Sequence, residues 1–242
     1  MNLNKKHFLL FGIFLFSLQI NVKSQIVLLH EDVKADSVVS RFGPNRTHYL
    51  QMYYGAGFIL GNSDSTGADI KPWKSYYLSA GFRYKLKLGK YYAIGLDAAY
   101  QYNSFRLKQN PTNFLPDTFL HKKERLNFHN LSASFFNRIN FKKRGDIIGN
   151  YLDFGCYADY IFSSTHYYRD ATVLGNVSRE TAVHEHKLQY VNNYDYGFFA
   201  RIGWEGFAFW GQYRVSDLFD KNYNIKYPEL PRIFIGIEVS SL

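Results

Sequence analysis

The sequence predicts an all-β fold, an eight-stranded antiparallel barrel, on three observations. The composition is rich in rings, with 21 Tyr and 22 Phe in 242 residues, and flat rings suit a pleated, half-buried surface. Beyond Gln25 no apolar run approaches the roughly 20 residues that a membrane helix needs. In its place eight segments alternate apolar and polar residues with period two, the pattern of a strand with two unlike faces.

The N-terminal stretch reads as a leader. Lys5 and Lys6 precede an apolar run from Phe8 to Ile20, and Val22-Lys23-Ser24 supplies small residues for cleavage before Gln25. Residues 1–24 are therefore expected to be a signal peptide. Residues 25–46 are expected to form a periplasmic N-terminal segment, and 47–242 the barrel. No Cys lies near the cleavage point to carry a lipid anchor. The single Cys, Cys156, has no partner for a disulfide.

The segments follow in order. The first sets Leu50, Met52, Tyr54, Ala56, Phe58 and Leu60 against Gln51, Tyr53, Gly55 and Gly57. The second sets Tyr76, Leu78, Ala80, Phe82, Tyr84 and Leu86 against Ser79, Gly81, Arg83 and Lys85. In the third, Tyr92, Ile94, Leu96, Ala98, Tyr100 and Tyr102 oppose Gly95, Asp97, Gln101 and Asn103. The fourth opposes Leu131, Ala133, Phe135, Ile139 and Phe141 to Asn130, Ser132, Ser134, Arg138 and Asn140, with Asn137 breaking the apolar side. The fifth carries Leu152, Phe154, Cys156, Ala158, Tyr160 and Phe162 against Asp153, Gly155 and Asp159. The sixth carries Tyr194, Tyr196, Phe198, Ala200, Ile202 and Trp204 against Asp195, Gly197, Arg201 and Glu205. In the seventh, Phe207, Phe209, Tyr213 and Val215 oppose Gln212, Arg214 and Ser216. The eighth opposes Ile233, Ile235, Ile237 and Val239 to Arg232, Gly236, Glu238 and Ser240.

Alternation alone does not say which face is inside. Two features point to a transmembrane barrel with its apolar face outward. Tyr76, Tyr92, Tyr100, Tyr102, Tyr160, Tyr194, Tyr196 and Trp204 gather at the ends of the apolar faces, as in the aromatic girdles at membrane interfaces. The connections also alternate in length. Leu88–Tyr91 and Trp204–Phe207 are tight and 142–150 is moderate, whereas 61–74, 105–124, 163–187 and 216–232 are long. Short turns on one side and long loops on the other fit a bacterial outer-membrane barrel, so the cell outer membrane is the expected location. Hydrocarbon tolerates no open sheet edge, so the eighth strand is expected beside the first.

This orientation sends Arg83, Lys85, Arg138, Arg201 and Arg214 into the lumen with Asp97, Asp153, Asp159, Asp195, Glu205 and Glu238. Eight strands enclose a space that side chains fill. Buried charge must be paired, so a filled polar lumen with interleaved ion pairs and no passive pore is expected. The net charge is +9. Nucleic-acid binding calls for clustered cations with exposed rings, and no such stripe occurs. The charge reads as solvated surface, or as a cationic face for anionic outer-membrane lipid and lipopolysaccharide.

Other motifs carry little chemistry. Phe128-His129-Asn130-Leu131-Ser132 holds a His and a Ser, but a spacing of three on one strand turns them to opposite faces, which does not make a nucleophile with its base. His166, His184 and His186 fall in a long connection, where His184-Glu185-His186 alone is a weak metal signal. Arg144-Gly145-Asp146 reads as turn chemistry, and Asn45-Arg46-Thr47 as a sequon without consequence. No catalytic, cofactor or metal site is expected.

Three stretches carry a family resemblance: Arg138–Asp146 leading into Tyr151–Gly155, Tyr213–Phe219, and Leu230–Ile237. On these the chain resembles small outer-membrane barrels of Bacteroidetes-type bacteria, the broad PorT-like group. The resemblance implies a barrel fold without shared catalytic residues, and an envelope protein as a possible partner. The expected function is a non-catalytic barrel with a structural or interaction role through its outer loops. The alternatives are an accessory subunit of a protein-secretion or surface-assembly system, and, further off, a lipid-modifying enzyme or a small channel.

Overall fold

The computed structural model describes residues 40–61, 67–111, 115–116, 119–141, 145–174, 177–221, 223–224 and 226–241, with the side chains of 172–174 and 177–179 left aside. The expected signal peptide, and the part of the N-terminal segment before Ser40, lie outside the described residues.

The chain is all-β. Nine strands run β1 (His48–Leu60), β2 (Tyr76–Lys87), β3 (Tyr92–Arg106), β4 (Lys123–Phe141), β5 (Asn150–Leu174), β6 (Val177–His186), β7 (Tyr194–Trp204), β8 (Phe207–Arg214) and β9 (Ile233–Ser240). Every pairing is antiparallel. Eight of the strands close on themselves, β9 pairing with β1, and the barrel has no free edge.

The closure is staggered. Crossing from strand to strand, His48 faces Leu86, then Ile94, Asn137, Phe154, Ala200, Gly211 and Ile235, and the path returns to β1 at Phe58, ten residues from its start. Such a stagger tilts the strands by about 35–45°. It also lets the loop end of one wall stand level with the middle of another.

β6 is the strand outside the eight. The stretch 163–187, expected as a loop, is a β-hairpin: β5 runs on past the barrel and β6 folds back along it, from Thr165 opposite His186 to Leu174 opposite Val177. β4 likewise starts at Lys123, before the apolar alternation begins. Phe162 is an extra residue where His129 faces Ser163 and Asn130 faces Ile161, a bulge that bends the strand as it leaves the barrel. The arm was illegible because neither of its faces is uniformly apolar.

The faces sort cleanly. Leu50, Phe82, Leu96, Leu131, Phe154, Phe198 and Ile237 are exposed on the outside, and the charged residues between them are buried inside. The short connections and the start of β1 share one end, the turn end. At the other end the loops fold over the lumen.

Candidate functional site

The lumen is built in three storeys. The middle one is an ion-pair network. Register places Arg83 opposite Asp97, and Asp153 between Arg138 and Arg201, so each base has an acid on the neighbouring strand. Arg83 donates to Asp97 from Nε (2.9 Å) and Nη2 (3.2 Å), and to Glu238 at 2.8 Å. Arg138 holds Asp153 with both arms at 2.7 and 2.8 Å. Arg201 joins the halves, donating to Asp153 and to Asp97 at 2.9 Å each, with its Nε 3.0 Å from Glu238. Three guanidiniums thus meet three carboxylates, all buried, and their charges balance.

Rings separate the guanidiniums. Phe136 lies within 6.0 Å of all three, and Tyr53, Tyr151 and Phe199 each stack on one, at 4.2, 3.7 and 5.0 Å. Planar cations on ring faces keep attraction where solvent is absent. Phe136 has room because Gly95 is its partner across β3 and β4: a Cβ there would lie 2.2 Å from the ring. The alternation puts Tyr53 on the inward face, but Phe136, Tyr151 and Phe199 are not among the residues expected in the lumen. The available signal was parity, since Phe136 shares its face with Ser134 and Arg138.

Toward the turn end, residues just before β1 form a floor. Lys85, buried, donates to the Pro44 carbonyl and stands 5.6 Å over the Tyr49 ring. Asn45 donates to the Gly145 carbonyl at 2.8 Å, and Arg46 meets Asp146 at 3.6 Å. The Asn45-Arg46-Thr47 and Gly145-Asp146 stretches therefore brace each other, and Ile148, Tyr151 and Ala208 pack above them.

Toward the loop end the lumen turns polar and then apolar. Asp159 and Asp195 face each other across β5 and β7, both buried, with no base in ion-pair reach among the described residues. Buried polar atoms without a protein partner cluster at this level, including Gln101 Oε1, Asn130 Oδ1 and Tyr157 Oη. Below them lies a polar cavity of about 30 Å³ lined by Gln101, Ser132, Tyr157, Gln212 and others, room for one or two waters. Above comes an apolar plug of Ile59, Tyr77, Phe105, Phe128, Trp210 and Phe234, covered by Leu115, Tyr190, Phe219 and Leu230 from the loops. The lumen is thus filled, but its upper part is apolar where a polar interior was expected. Beyond the barrel's apolar belt, inward side chains meet folded loops and pack as an ordinary core.

Glu205 leaves the expected lumen set. It sits in a left-handed conformation (φ 54°) at the tip of the β7–β8 hairpin, exposed, because Trp204 already pairs with Phe207 and the inward parity ends with Gly203. Arg214 is inside, and its acid comes from a loop: it donates to Glu229 at 3.2 Å and to the Leu230 carbonyl at 2.9 Å.

His129 and Ser132 lie on opposite faces, His129 bonding Tyr100 Oη at 2.6 Å on the outside while Ser132 is buried within. His184 and His186 stand exposed on β6, and His166 is buried against Glu124 at 2.8 Å. No cluster able to hold a metal occurs among the described residues. On the outer face Ala98, Ala133 and Ala158 follow one another across three strands and form the bed of an apolar groove walled by Leu50, Phe82, Leu96 and Phe135. No protein-family model matches the chain, and comparison with curated proteins returns no relative.

Proposed function

We propose that this chain is a non-catalytic barrel of the outer membrane with a structural or interaction role carried by its loop end. The observation behind this is the inversion of sides. Leucines, isoleucines and rings stand exposed around all eight barrel strands, Leu50 at 61% and Phe198 at 62%, while arginines are buried at its centre. A water-soluble protein rarely shows a contiguous apolar patch beyond a few hundred Å², whereas a lipid-facing surface requires one. The signal peptide read in residues 1–24 agrees with export.

Within this reading the lumen has a structural role. The arginine network and the apolar plug fill it, and the lumen carboxylates Asp97, Asp153, Asp159, Asp195 and Glu238 are all buried. What remains available to partners is the loop end with its β5–β6 arm.

The single thiol tests the membrane reading. Cys156 is exposed at mid-height on the apolar face. In proteoliposomes it should resist a water-soluble maleimide and react fully after denaturation, while a thiol introduced by Lys90→Cys in the β2–β3 turn of a Cys156→Ser chain should react at once. Rapid labelling of Cys156 in the intact membrane would overturn the reading.

The alanine-floored groove favours a second reading, an accessory subunit of a secretion or surface-assembly system, because small residues let a partner's membrane segment approach closely. Co-purification in mild detergent that Ala133→Trp abolishes supports it. Migration of the chain always alone counts against it.

A further inference from the structure

The three strands that leave the barrel together carry a cluster of cations on their outer face that the described carboxylates neutralise only in part. Arg106 on β3 stands directly opposite Arg125 on β4. Arg125 faces Tyr167 on β5, and Lys123 faces Arg169 one pair further out. Two-residue steps keep all five on one face of the sheet. Like charges opposite each other in a ladder destabilise it, so the arrangement is costly as it stands. Arg106, Lys123 and Arg125 have no ion-pair partner among the described residues. Glu124 is engaged by His166 and Gln109, and Glu180, shared between Lys122 and, at 3.4 Å, Arg169, is the carboxylate that offsets part of the cluster.

Arg106, Lys123, Arg125, Tyr167 and Arg169, with Glu124 between them, line a pocket of about 180 Å³. The Arg125 guanidinium lies 4.4 Å over the Tyr167 ring, which fixes its plane, and its buried Nε has no hydrogen-bond partner. A fixed fork with an unused donor, beside further cations, is the geometry that receives a tetrahedral oxyanion. Its height on the barrel is equally specific. Below the Ser104–Asn127 pair, toward the apolar belt, come Tyr100, Tyr102, His129 and Phe162, packed ring against ring.

We infer that this pocket binds the phosphate of a lipid headgroup in the leaflet at the loop end, through Arg106, Lys123, Arg125 and Arg169. The inference rests on the membrane reading, because rings at the interface place the pocket at headgroup depth. The lipid's chains would lie along the ring-bearing face below, and its phosphate would supply the negative charge that the ladder lacks.

The test uses the full-length barrel in phosphatidylcholine nanodiscs containing a minor share of phosphatidic acid, whose phosphate is a monoester. Native mass spectrometry should find phosphatidic acid retained over phosphatidylcholine by about tenfold or more, the loss expected when one charge-assisted hydrogen bond is removed. Arg106→Gln/Arg125→Gln should abolish the preference, and Lys90→Gln at the opposite end should keep it. The double variant removes a repulsion, so it folds, and its heat-modifiable gel shift verifies this. Equal retention of both lipids, or a preference that survives the double variant, overturns the inference. Inorganic phosphate that raises the melting temperature of the micellar protein without any lipid preference overturns the headgroup assignment in favour of a free anion. Labelling of Cys156 in the same nanodiscs separates these outcomes from failure of the membrane reading: a shielded thiol with no lipid preference refutes the pocket alone.

Discussion

Arg201 and Asp97 lie on opposite walls of the barrel, and their ion pair, 2.9 Å from Nη2 to Oδ2, ties β7 to β3 through the centre of the lumen. Arg83 and Arg201 each also meet Glu238 on β9, a strand that is not a ladder neighbour of either, and Tyr77 on β2 meets Trp210 on β8 in the same way.

Arg201→Met should therefore cost more than any exposed substitution. It leaves Asp97, Asp153 and Glu238 sharing two bases in a buried space, a loss of about 3–5 kcal/mol. Arg201→Lys should recover part of this, since one ammonium cannot reach three carboxylates in a plane. Urea unfolding in micelles, followed by tryptophan fluorescence, reads both. A loss under about 1 kcal/mol for Arg201→Met would show that the network carries little stability.

Gly95 is predicted to tolerate no side chain. A Cβ would meet Phe136 Cζ at 2.2 Å and the Tyr84 carbonyl at 2.4 Å. Gly95→Val would push Phe136 out from among the guanidiniums and cost about 1–3 kcal/mol or more. Adding Phe136→Leu should restore part of the loss, and unfolding midpoints of the single and double variants measure the coupling.

Trp210 packs against Tyr77 with ring centroids 4.7 Å apart in the apolar plug. Trp210→Ala should destabilise the barrel by about 3–5 kcal/mol. The arginine storey still blocks the lumen in that variant, so planar-bilayer recordings should show no steady conductance for either protein. Large, stable currents from the unaltered chain would contradict the filled lumen.

Asp217, in the loop before β9, is held below the usual carboxylate range by hydrogen bonds from Lys221 and Arg232. Its folded form thus binds a proton less readily than its unfolded form. The stability it contributes is complete above the ordinary value near 3.9 and is lost as pH falls through the depressed one. Melting temperatures of the native chain and Asp217→Asn should differ most at neutral pH and converge as pH falls through the acid range. A difference that stays constant with pH would remove Asp217 from the acid response.

Much of this fold was legible because a strand's two faces are written in alternate letters. Phe82 and Arg83 could not share a side, and eight such segments with alternating long and short connections left one closed arrangement. Legibility ended where alternation ended. The arm of β5 and β6 has charge on both faces, so Tyr167 and His184 gave no sign of pairing. Glu205 had the right parity for the lumen but fell on a turn, where parity has no meaning.

By itself the sequence determined the class of the fold, the number of barrel strands and which charged residues within those strands share a face, since these follow from local chemistry at period two. Only the tertiary structure decided which charges meet. The stagger of ten residues sets the height of each side chain around the wall, and a shift of one pair would give Arg201 other carboxylates. It likewise decided that the upper lumen is an apolar core and that Arg106 and Arg125 stand face to face, because such contacts join residues whose separation along the chain carries no signal of their proximity.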